Sequence, residues 1–285
     1  MAYTTLVSTE VLARHLDDPD WIVFDCRHDL ADPGRGRREY AQGHVPGARF
    51  LHLDDDLSSP RTGTNGRHPL PDFGRLRDRL ERAGVGSGTQ AVAYDAQGGM
   101  VAARLWWLAR GLGHERIAVL DGGWGKWVAE GRPQSSQTPA PKPGRFDASR
   151  RPDFVDAGFV LSHLGDGTVS LLDARAPDRY RGQNETLDPV GGRIPGARNR
   201  FYRDNLDASG AFKPAATLAA EFAALLGEGA SAVHYCGSGV SACHNILAMA
   251  VAGLPPGRLY AGSWSEWCAD RSRPAAAGEP RPGER

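Results

Sequence analysis

The chain repeats itself. Sliding the 285-residue sequence along its own length brings four separate stretches into register, in the same order and at nearly constant spacing. Ile22-Val23-Phe24-Asp25-Cys26-Arg27 falls on Ser170-Leu171-Leu172-Asp173-Ala174-Arg175, and Gly43-His44-Val45-Pro46-Gly47-Ala48-Arg49 falls on Gly192-Arg193-Ile194-Pro195-Gly196-Ala197-Arg198. Tyr94-Asp95 meets Tyr235-Cys236, and Trp124 to Trp127 meets Trp264 to Trp267. Whatever architecture the first half adopts, the second half must adopt as well.

Within each copy, short apolar runs alternate with helical stretches: Ala91 to Tyr94, then Val101 to Arg110, then Ile117 to Leu120. That alternation predicts an α/β fold class with two tandem domains, each a parallel sheet flanked by helices. A hydrophobic content of 40% over this length suffices for two cores. We place the first domain at 1–131 and the second at 148–285. Between them, 132–147 begins with Arg132-Pro133-Gln134-Ser135-Ser136-Gln137-Thr138-Pro139-Ala140-Pro141-Lys142-Pro143, a semi-extended linker by composition. The tail from Arg271 to Arg285, rich in Pro, Ala and Gly, is expected to add little to either core.

Charge narrows the partners. With 34 basic and 34 acidic side chains, no global field favours nucleic acid or an anionic membrane, so neither is expected as a partner. Only Lys126, Lys142 and Lys213 are lysines; the rest of the basic set is arginine, which suits bidentate carboxylate recognition, although a bias toward Arg, Ala and Gly accounts for it too. The four cysteines, at 26, 236, 243 and 268, form no CxxC pair, and the N-terminus has no charged start followed by an apolar core. A reducing cytoplasm follows as the expected compartment. Cys243 and His244 with Cys236 match no common zinc spacing, so no metal and no other cofactor is expected.

The chemistry points to one loop. Cys236-Gly237-Ser238-Gly239-Val240-Ser241 lies directly after the apolar stretch 232–235 and directly before the helical stretch 242–252. Backbone N–H groups of a tight loop and of a helix start converge on such a thiol and stabilise a thiolate, or an anion it carries. Gly237 and Gly239 open backbone angles closed to other residues. The competing reading makes Cys236 a small buried apolar side chain in a plain turn. The first copy has Asp95 where the second has Cys236, and a carboxylate cannot carry transferable sulfur. The first copy is therefore expected to supply structure and one wall of a cleft between the domains.

These residues resemble the two-domain rhodanese family of sulfurtransferases over nearly the whole chain. The resemblance rests on Asp-x-Arg after an early strand, Gly-His-Val-Pro-Gly-Ala, the six-residue cysteine loop, and Gly262-Ser263-Trp264-Ser265-Glu266-Trp267. It implies two rhodanese-like domains and an enzyme that parks sulfur as a persulfide on Cys236. The loop looks like the 3-mercaptopyruvate type; thiosulfate-type loops usually carry basic residues, which a doubly charged donor wants beside the thiolate. By the same resemblance Ser238 is the hydroxyl of a proton relay. His68, in His68-Pro69-Leu70-Pro71, and Asp54, in Phe50-Leu51-His52-Leu53-Asp54, are its histidine and carboxylate, both drawn from the first domain. Arg179, in Asp178-Arg179-Tyr180-Arg181-Gly182, is the substrate-binding arginine, with Gly237, Gly239, Val240 and Ser241 lining the loop around the donor. The family's second carboxylate-binding arginine is absent: its place falls in Thr186-Leu187-Asp188-Pro189, nearest Asp188, and Arg193, Arg181 and Arg104 are weighed as substitutes. The implied acceptor is a thiol such as reduced thioredoxin, or cyanide. Three rivals remain: thiosulfate:cyanide sulfurtransfer on the same cysteine, a non-catalytic persulfide carrier, and a Cys-x5-Arg phosphatase, whose arginine position is here Ala242.

Overall fold

The computed structural model describes residues 2–140 and 142–279. They divide into two compact units, one formed by 2–59, 70–152 and 206–212, the other by 60–69, 153–205 and 213–279.

Unit 1 runs β1 (Leu6–Val7), α1 (Thr9–Arg14), β2 (Trp21–Asp25), α2 (Arg35–Gln42), β3 (Arg49–Phe50), α3 (Phe73–Arg82), β4 (Gln90–Tyr94), α4 (Ala102–Gly111), β5 (Ile117–Leu120) and α5 (Gly123–Ala129). Unit 2 runs β6 (Phe154–Val155), α6 (Ala157–Ser162), β7 (Val169–Asp173), α7 (Pro177–Tyr180), β8 (Arg198–Asn199), α8 (Ala215–Ala223), β9 (Ser231–Tyr235), α9 (Ala242–Val251), β10 (Arg258–Tyr260) and α10 (Ser263–Trp267). Each unit has a five-stranded sheet, ordered β1-β5-β4-β2-β3 in one and β6-β10-β9-β7-β8 in the other. All pairings are parallel, and each sheet is flanked by helices, the α/β plan that the alternating sequence predicts.

The repeated motifs turn out to be the frame of each unit. Register sets Asp25 opposite Tyr94 and Asp173 opposite Tyr235. In unit 2, Arg175 Nη2 donates to Asp173 Oδ2 at 2.7 Å and to Gly192 O at 2.6 Å, and the guanidinium lies 4.9 Å over the Trp264 ring. Ile194 N donates to Tyr235 Oη at 3.2 Å. Unit 1 builds the same knot from Arg27, Asp25, Gly43, Trp124, Val45 and Tyr94. A buried ion pair is tolerable only when its remaining donors and acceptors are met, and this network meets most of them. Recurrence of these residues thus reports folding, not chemistry.

Three stretches depart from the sequence reading. Residues 132–147 do not hang between the domains: His44 and Ser135 exchange both backbone hydrogen bonds (2.8 and 2.9 Å), Trp127 Nε1 donates to Pro133 O at 2.8 Å, and Gly144 N donates to Glu81 O at 2.8 Å. The tail expected to contribute little does the same for unit 2. Arg193 and Ala276 exchange backbone bonds at 2.8 and 2.9 Å, and Trp267 Nε1 donates to Pro274 O at 2.8 Å. Each copy therefore closes with a returning segment; residues 280–285 of that tail lie outside the described residues. Finally, segment 60–69, early in the sequence, belongs to unit 2, because Arg67 N donates to Ser265 Oγ at 3.0 Å and Gly66 (φ +82°) lies against Gly262. His68 is thereby part of unit 2, not of the first domain.

Candidate functional site

Cys236 is the first residue past β9, and α9 begins six residues on at Ala242. The loop between is pinned from below. Trp264 N donates to Cys236 O at 2.9 Å, Ser265 N to Gly237 O at 3.0 Å, and Cys236 N to Ser263 Oγ at 3.1 Å. Gly239 has φ +79°, and a Cβ there would stand 2.4 Å from Ala261 O, so only glycine fits. That turn aims two amides at the sulfur: Ser238 N and Gly239 N donate to Cys236 Sγ at 3.4 and 3.1 Å. Val240 and Ser241 complete the loop, their carbonyls accepting from Cys243 N and His244 N at 3.1 Å each.

The first copy reveals what such a loop holds. Asp95, the counterpart of Cys236, accepts from Gln97 N (2.7 Å), Gly99 N (2.9 Å), Val101 N (2.7 Å) and Ala102 N (2.9 Å). Burial pushes its carboxyl up, and those four bonds work against that shift. The loop is an anion cradle closed by the first amides of a helix, filled in unit 1 by a carboxylate and offered in unit 2 to whatever the sulfur carries.

Beside the thiol, His68 Nδ1 and Ser238 Oγ share a hydrogen bond of 2.7 Å, both residues buried. Asp54, by contrast, belongs to unit 1, in the turn after β3. There Asp54, His28 and His52 bring ligand-type atoms within 4.8 Å of one another. His52 is already committed to the turn, its Nε2 donating to Pro33 O at 2.9 Å and its Nδ1 accepting from Asp55 N at 3.3 Å.

Arg179 reaches the loop, with both terminal nitrogens 3.6 Å from where a Cβ on Gly237 would stand. Its Nη2 donates to both Glu185 oxygens at 2.9 Å and lies 3.4 Å from Asp188 Oδ2. Burial raises the Glu185 carboxyl, but bonds from Leu187 N and Asp188 N together with Arg179 prevail and hold it below its usual range. The residue that sequence reasoning missed is Arg67. Its Nη2 stands 2.5 Å from the same hypothetical Cβ, and its Nη1 bonds Asp188 Oδ1. No local motif signals it; the only cue was its place directly before His68. Of the substitutes weighed, Arg193 donates to Gly278 O at 2.7 Å and covers the Tyr180 ring, Arg181 pairs with Glu279, and Arg104 is buried in α4 of unit 1. Arg193 and Arg181 are thus engaged away from the cysteine loop.

All four cysteines are free and buried. Cys243 Sγ donates to Gly239 O at 3.4 Å, and His244 Nδ1 shares a hydrogen bond of 3.1 Å with Asn205 Nδ2. Burial, then Asp25, pushes the Cys26 thiol well up, and burial with Asp188 pushes Cys268 up to about 11.

The sequence model of the rhodanese-like domain matches this chain twice, over residues 8–130 and 156–270. A Pseudomonas aeruginosa protein named "probable 3-mercaptopyruvate sulfurtransferase" is 45% identical over 286 residues, covering 98% of this chain and all of that one. The mouse thiosulfate sulfurtransferase is 33% identical over 278 residues, covering 93% and 92% of the two chains. In three dimensions, the crystal structure of a 3-mercaptopyruvate sulfotransferase from Escherichia coli superposes with a TM-score of 0.80 at 29% identity, covering 92% of this chain and 99% of that one.

Proposed function

Because the chain belongs to the rhodanese-like domain family, we propose that it is a sulfurtransferase that takes sulfur from 3-mercaptopyruvate onto Cys236 and passes it to a thiol. In the first half-reaction the Cys236 thiolate attacks the donor sulfur. An S–S bond forms, the donor C–S bond breaks, and its electron pair departs on carbon as the enolate of pyruvate, which must take up a proton. The proton the donor thiol gives up balances the one that carbon receives. Ser238 and His68 carry it, and Arg179 anchors the carboxylate. The Cys236 persulfide rests in the amide loop of Gly237, Ser238, Gly239, Val240 and Ser241. In the second half-reaction an acceptor thiolate attacks the outer sulfur and releases the Cys236 thiolate. Reduced thioredoxin is the acceptor we favour, with cyanide as a laboratory substitute, and Asp54 is proposed as the carboxylate of the relay on the strength of its motif. A reducing cytoplasm is the proposed setting, supported by the four free cysteines; no helix among the described residues is long and apolar enough to cross a membrane.

The observation that carries the choice of donor is the 2.7 Å bond between His68 and Ser238, two residues past the nucleophile. A carbon leaving group needs a proton delivered in the transition state, whereas thiosulfate expels sulfite, which leaves as a stable anion and needs none. Initial rates with both donors test this. Cys236→Ala should abolish both reactions; Ser238→Ala and His68→Gln should cut mercaptopyruvate turnover by ~10²-fold, the usual scale of acid–base assistance, and spare thiosulfate. Preference for thiosulfate, or equal losses with both donors, would overturn the assignment of donor. A protein that loads sulfur once from a partner but does not turn over small donors would be a carrier instead.

A further inference from the structure

We propose that Arg67 is the second donor-binding cation of this site, and that Asp188, standing where an arginine is expected, is its tether and the element that tunes the site to singly charged donors. The inference rests on the sulfurtransferase reading above and deepens it.

The geometry at Gly237 carries it. Arg67 Nη2 and Arg179 Nη1 both lie against this residue, 2.5 and 3.6 Å from its hypothetical Cβ, one position past the nucleophile. A side chain at 237 would push the Arg67 guanidinium aside, so the bare glycine leaves room for two guanidinium groups against the residue that follows the nucleophile. One nitrogen of Arg67 and two of Arg179 are spoken for. Arg67 Nη1 is bound by Asp188 Oδ1, while Arg179 Nε and Nη2 are bound by Glu185, with Asp188 Oδ2 at 3.4 Å from Nη2. Among the described residues no bond engages Arg67 Nη2, the nitrogen nearest Gly237, or Arg179 Nη1, which stands at 3.6 Å from the hypothetical Cβ as the engaged Nη2 does. A carboxylate with two oxygens matches a pair of such donors.

Six side chains set the local charge. Arg67 and Arg179 face two buried carboxylates, the Glu185 and Asp188 side chains being 4% and 2% exposed, while Arg175, 3.7 Å from Glu185, is balanced by Asp173. The cluster is therefore neutral before a donor arrives. A monoanion then gains directional hydrogen bonds at little charge cost. A dianion would meet no surplus of positive charge. Had position 188 carried arginine with Arg67 present, the cations of the cluster would outnumber its carboxylates by two. The chain instead supplies the second cation from a segment 121 residues earlier and uses position 188 to hold it.

Two readouts test this. Steady-state rates come first. Arg67→Met keeps the packing of the stem and should raise the mercaptopyruvate KM ~10–100-fold, the worth of a charge-assisted hydrogen bond, with kcat within a few-fold. Asp188→Asn should raise the ratio of thiosulfate to mercaptopyruvate kcat/KM by about tenfold, because it frees one positive charge. Introducing D188R into the Arg67→Met background should restore the mercaptopyruvate KM. The second readout needs no turnover: pyruvate should slow alkylation of Cys236 by iodoacetamide in the wild type, and should lose that protection in Arg67→Met and in Arg179→Met. Unchanged KM and unchanged protection in a folded Arg67→Met would overturn the inference while leaving the sulfurtransferase reading intact. Absence of Cys236-dependent turnover with either donor, alongside normal pyruvate protection, would overturn that reading and leave Arg67 as a carboxylate ligand.

Discussion

A single hydrogen atom at position 239 decides whether the sulfur has an amide cradle. Gly239 needs φ +79°, and its Cα hydrogen faces Ala261 O across a gap that a methyl group would reduce to 2.4 Å. Replacing it by alanine adds left-handed strain, ~1–3 kcal/mol, to a backbone clash. The loop would relieve both by rotating, which takes Gly239 N away from Cys236 Sγ. Gly239→Ala should therefore lower the melting temperature and cut Cys236-dependent turnover by ~10²-fold, the scale of losing one preorganised amide donor from a developing anion. Turnover at the wild-type rate in a folded Gly239→Ala would show that the Gly239 amide does not serve the reaction. At this scale the sequence was legible wherever function and local structure coincide. Cys236, Ser238 and the loop glycines stand in six consecutive residues, and Arg179 sits in its own short motif. Arg67 was not legible, because its meaning lies in Asp188, far along the chain and of the charge opposite to the one expected.

Returning segments 133–137 and 274–278 show the same limit among the elements. The sheets could be read from alternation because a parallel strand buried on both faces must be mostly apolar, as Ile117 to Leu120 is. The returning segments are polar and proline-rich, which composition assigns to linkers. What holds them is backbone pairing and one indole on each side, and neither leaves a hydrophobic signature. Deleting residues 272–285 tests their worth. It strips Arg193 of its backbone pair with Ala276 and leaves the Trp267 indole N–H, on a fully buried ring, without Pro274 O. A buried donor left unmet costs ~1–3 kcal/mol. For a chain of this size that is a drop of ~2–10 °C in the melting temperature of unit 2. A truncated chain that melts with the wild type would return the tail to the status its composition suggests.

Acid should act on both units through one buried histidine in each. His234, in β9, is fully buried with Nε2 donating to Pro256 O at 3.1 Å and Nδ1 without a partner, and burial lowers its pKa to about 4. His114, after α4, is lowered to about 4 by burial as well. Both are neutral in the folded chain at pH 6 and would protonate near 6.5 once unfolded. Between those values the unfolded chain binds more protons, so stability falls as pH drops from about 6.5 and levels off near 4. Each shift corresponds to ~3 kcal/mol at most, since one unit is worth ~1.4 kcal/mol. Carboxyls work in both directions nearby: burial raises Asp95 and Glu266, which makes acid favour the fold, whereas Glu185 and Glu221 are lowered by their partners and act the other way. The wild-type curve alone is therefore a sum, and the variants isolate the histidines. Urea midpoints at pH 7, 6 and 5 should decline in the wild type, decline less in His234→Leu or His114→Leu, and least in the double variant, whatever each substitution does to stability at pH 7. A double variant with the wild-type slope between pH 7 and 5 would place the acid sensitivity elsewhere, in the lowered carboxyls of Glu185 and Glu221, and that outcome would move with Glu185→Gln.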